Sequence, residues 1–239
     1  MKFIKTGIPG LDELLKGGVR ENSSILISGG PGTGKSILAL QFIVEGAKKG
    51  EPGLFISAEE DIDSLKEDVK SLGFNIEKYE KEKKIVLVQQ PILSKKLVSI
   101  ATPLSLIKEY KIKRVALDSL TFFEYMHLAG EMDYRKEVLD FIQRMKTAGV
   151  TLMATSEKTV TDTDVLEYES EDFLFDGLIL LIEVRKAASF ERCIHVVKMR
   201  GQDHLLDIYP FKIEKGGIKI FPDQLPFSLI EEEARRKRE

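Results

Sequence analysis

Eight consecutive residues, Gly29-Gly30-Pro31-Gly32-Thr33-Gly34-Lys35-Ser36, fit the phosphate-binding pattern G-x-x-x-x-G-K-[ST] without a mismatch. Glycine reaches backbone angles closed to other residues, so such a run can turn its N–H groups inward around phosphate oxygens. Lys35 supplies a mobile cation for β- and γ-phosphates, and the Ser36 hydroxyl a hard oxygen for Mg2+. Residues Gly30 to Ile37 are therefore expected to contact ATP. The alternative is an ordinary glycine-rich turn, which the agreement of spacing, Lys-Ser pair and flanking segments disfavours.

A phosphate cradle does not hydrolyse anything by itself. A second ligand must hold Mg2+, and a base must orient the attacking water. Val115-Ala116-Leu117-Asp118 is an apolar strand ending in a carboxylate, and places Asp118 with Ser36 as a metal-site residue, acting through water. The next residue is Ser119, so the base must come from elsewhere. The strand ending Ile56-Ser57-Ala58 runs into Glu59-Glu60-Asp61, and in a parallel sheet the C-terminal strand ends converge on the ligand crevice. Glu59 is the expected general base and Glu60 its neighbour or deputy, with Lys35 completing the local catalytic set. The same acidic triplet also suits the first turn of the following helix, a role that falls to Asp61.

These residues need a scaffold, and the hydrophobic pattern describes one. Ile25-Leu26-Ile27 reads as a buried strand entering the loop, and Ser36 to Val44 as a helix leaving it. Strands at Gly53–Ser57, Ile85–Val88, Val115–Leu117 and Val150–Ala154 alternate with helical patterns. One helix is marked by Ile62, Leu65, Val69 and Leu72, another by Leu104, Ile107 and Tyr110. A third runs from Tyr134 to Lys146, with Val138, Leu139, Phe141, Ile142 and Met145 inward. This rhythm predicts an α/β fold with a mostly parallel β-sheet flanked by helices. It then gives way to consecutive strands at Gly177–Val184, Cys193–Met199 and Phe211–Phe221, with a turn at Gly216-Gly217, so an antiparallel C-terminal extension is expected. One domain over 1–228 and a charged tail over 229–239 account for the chain.

Together these residues resemble the RecA superfamily of ATPases, and within it the KaiC-like branch. The segment Thr6-Gly7-Ile8-Pro9-Gly10-Leu11-Asp12-Glu13-Leu14-Leu15-Lys16-Gly17-Gly18 is similar to that branch's signature ahead of the phosphate loop. Glu59-Glu60 is similar to its catalytic glutamates, and Lys198-Met199-Arg200-Gly201 followed by His204 to its K-x-R-G…H segment. The resemblance implies a RecA-type P-loop fold and a homo-oligomer, usually a hexameric ring with ATP between subunits. It implies that Lys198 and Arg200 reach the γ-phosphate of a neighbour's nucleotide, with Met199 and His204 beside them. Residues two apart on a strand share a face, so the two cations would form a fork. It also implies that Ser71, Glu214 and Lys215 line the adenosine pocket. Clock members carry two such domains in tandem, and the second has an adjacent Ser-Thr phosphorylation pair. Here there is one phosphate loop, and Asp172-Phe173 stands at the corresponding place, so an autokinase cycle is not expected.

Composition excludes several classes. A net charge of −3 gives no global attraction for nucleic acid. The loop after Thr155-Ser156, residues 157–172, holds Glu157, Asp162, Asp164, Glu167, Glu169, Glu171 and Asp172 against Lys158 alone, which disfavours a DNA-threading pore. The basic Lys95-Lys96 and Lys81–Lys84 stretches are small and read as solvated faces. No apolar run approaches the ~20 residues that span a bilayer. The N-terminus shows no signal-peptide core, and the single cysteine, Cys193, cannot form an intramolecular disulfide. The expected setting is cytoplasmic, with no membrane partner. Two other functions stay open at this point: a RecA-like recombination or helicase accessory, and an ATP-assembled scaffold with protein kinase activity.

Overall fold

A computed structural model describes residues 2–58, 60–89, 101–128, 133–158, 168–186 and 189–227. A short ribbon opens the chain: β1 (Phe3–Ile4) pairs antiparallel with β2 (Val19–Arg20), with the single-turn helix α1 (Leu11–Leu14) between them in sequence. β3 (Ser24–Gly29) enters the phosphate loop and α2 (Lys35–Lys48) leaves it. Then follow β4 (Gly53–Ser57), α3 (Ile62–Ser71), α4 (Ile76–Lys81), β5 (Ile85–Gln89) and α5 (Ala101–Tyr110). Next come β6 (Arg114–Asp118), α6 (Thr121–Leu128), α7 (Tyr134–Thr147) and β7 (Thr151–Glu157). A 3-10 turn at Glu171–Phe173 precedes β8 (Gly177–Lys186), β9 (Ser189–Met199), β10 (Ile208–Glu214) and β11 (Gly217–Ile220).

β3 lies at the centre of a nine-stranded sheet ordered β11-β10-β9-β8-β3-β7-β6-β4-β5. From β5 to β8 every pairing is parallel, and from β8 to β11 every pairing is antiparallel. Alternation along each strand divides the core between the two faces. Ile25 and Ile27 join Leu38, Phe42 and Phe55 on the α2 side, while Leu26 joins Leu54, Phe141, Leu178 and Cys193 on the α7 side. With both faces covered, the inner strands are apolar almost throughout. Among the described residues no helix is long and apolar enough to cross a membrane.

Three local expectations need correction. Leu139 is 39% exposed, whereas Val138, Phe141, Ile142 and Met145 are buried, because at ~100° per residue Leu139 falls on the flank of the stripe. The last hairpin pairs Glu214 with Gly217, so its turn is Lys215-Gly216 rather than Gly216-Gly217. Arg200 lies past the end of β9, in the turn that follows it. The expected 229–239 tail and Lys95-Lys96 lie outside the described residues.

That hairpin is fastened to the phosphate-loop helix by one side chain. Gln41 of α2 is buried; its Nε2 donates to the carbonyls of Gly216 (3.3 Å) and Ile218 (3.2 Å), and its Oε1 accepts from the Ile218 N–H (2.7 Å). A Cβ at Gly217 would sit 2.5 Å from the Gln41 carboxamide carbon, so only glycine permits this approach. Gln41→Leu leaves three inward-facing backbone groups unpaired and is expected to lower unfolding free energy by about 3 kcal/mol. The urea midpoint reports this directly, and an unchanged midpoint would mean the hairpin docks without Gln41.

Candidate active site

The phosphate loop holds its own shape through its functional residues. The Lys35 ammonium donates to the Gly29 and Gly30 carbonyls, both at 2.9 Å, and the Thr33 hydroxyl donates to Gly30 O at 2.8 Å. Gly32 and Gly34 sit at φ 75 and 100, in the left-handed region. A Cβ on Gly34 would come within 2.8 Å of Ile213 Cδ1, so the loop and β10 pack without room for a side chain. Pro31 lies at the exposed tip of the loop. Arg192 of β9 reaches the same tip, with Nη2 3.4 Å from Gly32 O.

Beside the loop opens a cleft of about 540 Å³. Gly32, Gly34, Lys35 and Ser36 form its phosphate end, and Ile37, Leu65, Val69, Leu72 and Ile213 form an apolar wall. Glu60, Asp68 and Ser71 supply its polar edge. The dimensions and the gradient from cation to apolar surface suit a nucleotide laid along α2 toward α3. Burial, followed by the charges of Asp68, Asp118 and Asp61, pushes the Glu60 carboxyl above the usual carboxylate range. The Ser57 hydroxyl donates to Glu60 O at 2.5 Å and fixes the chain as it leaves β4. Asp61 caps α3, its side chain accepting from the N–H groups of Asp63 and Ser64. Glu59 lies outside the described residues.

Asp118 ends β6 beside Ser57, at the same end of the sheet as the loop. The Thr155 hydroxyl donates to its Oδ1, and the Ala58 N–H donates to its main-chain carbonyl at 2.6 Å. A carboxylate here and the Ser36 hydroxyl are oxygen donors of the kind Mg2+ takes alongside phosphate oxygens and water. The residues fit that ion.

Ser71 lines the cleft, whereas Glu214 and Lys215 continue past Ile213 into the hairpin turn. A Cβ at Gly73 would be 3.8 Å from Lys215 Cγ, and the Gly216 N–H donates to Leu72 O at 2.7 Å, so the turn closes over the end of α3. The apolar lining was visible in the sequence only as the buried stripe of a helix. Ile213 carried no signal, since its place in the cleft depends on how the hairpin folds back.

Lys198 and Arg200 are elsewhere. β9 runs antiparallel to β8, so its last residue Met199 pairs with Gly177, which pairs with Ile25 at the start of β3. Gly29, where the phosphate loop begins, is four residues further along β3, or ~13 Å, and two strands across, or ~10 Å. The cations and the phosphate loop of one chain thus face opposite ends of its sheet. Burial, then repulsion by Arg200, lowers the Lys198 ammonium pKa, so the two positive groups do sit together. Arg200 Nη2 donates to Phe173 O at 2.8 Å, and its N–H to Asp176 O at 2.8 Å. The Met199 side chain turns into the core, where a Cβ at Gly177 would lie 2.5 Å from its sulfur. His204 Nδ1 is 3.1 Å from Leu205 O.

The acidic count after β7 overstates the exposed charge. Lys158 forms a buried ion pair with Asp172 at 2.7 Å, and burial, then Glu169, raises the Glu171 carboxyl pKa. Asp162, Asp164 and Glu167 lie outside the described residues.

The family described as "ATPase: KaiC" matches residues 4–225. The circadian clock protein KaiC3 of Synechocystis is 32% identical over 243 aligned positions, covering 97% of this chain but 47% of its own length. The chain thus spans about half of such clock relatives. A UPF0273 protein of Thermotoga maritima is 31% identical and matched over 94% of this chain and 98% of its own. Among solved structures, the KaiC-like protein PH0186 of Pyrococcus horikoshii superposes with a TM-score of 0.79 at 33% identity, over 92% of this chain and 99% of that one. Matched over nearly its whole length and sharing this RecA-type architecture, the chain belongs to the KaiC family of ATPases.

Proposed function

We propose that this protein hydrolyses ATP to ADP and phosphate in a Mg2+-dependent reaction, at sites shared between neighbouring copies in a homo-oligomeric ring, with six subunits as the expected number. The observation that carries it is the separation of Lys198 and Arg200 from the phosphate loop of their own chain. Cations so placed can meet a terminal phosphate only on another copy, and a head-to-tail contact of this kind generates a ring when the rotation between copies closes.

In this site Lys35 and the loop N–H groups hold the β- and γ-phosphates, and the apolar wall from Ile37 to Ile213 receives the nucleoside. Asp118 and Ser36 would hold Mg2+, which supplies charge neutralisation on the phosphate oxygens. Glu59 accepts a proton from the attacking water, with Glu60 beside it. Lys198 and Arg200 from the adjoining subunit stabilise the charge that develops on the transferred phosphoryl group. A cytoplasmic setting, with no membrane or nucleic-acid partner, completes the proposal.

The test combines solution mass with turnover in the same samples. Addition of ATP and Mg2+ should raise the mass to that of a closed ring, and specific activity should rise with protein concentration. Chelation of Mg2+ should abolish turnover. A monomer with full, concentration-independent activity would overturn the shared site.

A further inference from the structure

The Thr6–Gly18 signature contributes no residue to the lining of the nucleotide cleft. It grips the segment just beyond Arg200 instead. α1 is one turn long: its Leu11, Asp12 and Glu13 carbonyls accept from the Leu15, Gly17 and Lys16 N–H groups, and Leu14 O is left to a partner from elsewhere in the chain. Leu14 O accepts from the Leu205 N–H at 2.8 Å. Leu15 O and Gly18 O both accept from Gln202 Nε2, each at 2.6 Å, a pairing that fixes which way the amide points. Lys16 is ion-paired with Asp203.

The glycines make this convergence possible. Gly17 and Gly18 have φ 137 and 122, and a Cβ at Gly18 would lie 2.3 Å from Ile4 O. The Thr6 N–H and hydroxyl donate to Asp12 Oδ1 at 2.9 and 2.8 Å, locking the start of the same turn. On the other flank, Arg200 is tied to Phe173 O and Asp176 O. The turn carrying Arg200 is therefore pinned from both sides; an exposed Lys16–Asp203 ion pair also joins it to the signature, but Gln202 is the side chain that bonds two of the signature's carbonyls.

We propose that the signature is a platform that aims the fork at the neighbouring subunit, and that Gln202 is the positioning residue coupling the two. The proposal rests on Lys198 and Arg200 acting on a neighbour's nucleotide. Gln202→Glu keeps the size of the side chain but replaces the donor facing two carbonyls with an oxygen. Misaimed catalytic groups cost ~10²-fold in rate.

The experiment measures kcat, ATP affinity and ring mass for Gln202→Glu, alone and mixed with Glu59→Gln, with Arg200→Ala plus Glu59→Gln as control. Gln202→Glu alone is expected to lose ~10²-fold in kcat while binding ATP and assembling like the unaltered protein. In an equal random mixture about a quarter of the interfaces join a Gln202→Glu phosphate loop to a Glu59→Gln fork, and these should regain turnover. Unchanged kcat for Gln202→Glu would overturn the proposal. So would loss of ATP binding or assembly without recovery on mixing, which would mark Gln202 as purely structural. Failure of the control mixture alongside an active unaltered protein would overturn the shared site itself, and the positioning role with it.

Discussion

Glu59→Gln is expected to lower ATP turnover by ~10²–10⁴-fold while leaving ATP binding intact. Glutamine fills the same space and can still bond to water, but it cannot accept a proton. The loss should therefore fall on kcat, with the nucleotide affinity and the ring mass unchanged. Glu60→Gln offers the internal comparison. Glu60 borders the cleft, and its carboxyl is held above the usual range by burial and by three neighbouring aspartates. Its part is to flank the base rather than to take the proton, so Glu60→Gln should cost only ~10-fold. Single-turnover measurements on the two variants decide the assignment. Normal hydrolysis by Glu59→Gln would remove it from the base position, and a reversed order of the two losses would transfer the role to Glu60.

Arg200→Ala should reduce turnover by ~10³-fold or more, the range for an arginine supplied across an interface. The defect lies in what a subunit gives its neighbour, since its own phosphate loop, cleft and Asp118 are at the other end of the sheet. Arg200→Ala subunits should accordingly bind ATP normally. Mixed with Glu59→Gln subunits, themselves inactive, they should recover activity at interfaces that join an intact base to an intact fork. A cation acting within its own chain could give no such recovery. Lys198→Ala should follow the same pattern with a smaller loss, because an ammonium is a single point of charge whereas the Arg200 guanidinium can bond two phosphate oxygens at once.

Legibility in the sequence followed the range of the interactions. The phosphate loop was readable because its function resides in backbone geometry dictated by contiguous glycines. The order of strands and helices was readable because alternation and helical spacing are local, and Asp61 was recognisable as a cap for the same reason. Leu139 shows where such periodicity loses resolution, at the edge of a stripe. Arg200 shows a second limit: strand spacing suggested a shared face with Lys198, but β9 stops one residue short. The buried Arg114 illustrates a third. It bonds Glu51 Oε2 at 2.9 and 2.6 Å and the carbonyls of Lys5 and Phe42, partners scattered through the chain that no spacing rule connects.

By itself, then, the sequence determined the chemistry on offer: a glycine cradle with its lysine and serine, a carboxylate ending a strand, an acidic pair, and two cations with a histidine. The tertiary structure decided where each could act. It folded the final hairpin back over α3 so that Ile213 walls the cleft, and its strand order and register set Lys198 and Arg200 at the far end of the sheet from their own phosphate loop. Strand order and the docking of distant segments arise from burying both faces of one sheet at once, a requirement on the whole chain that no short run of residues contains.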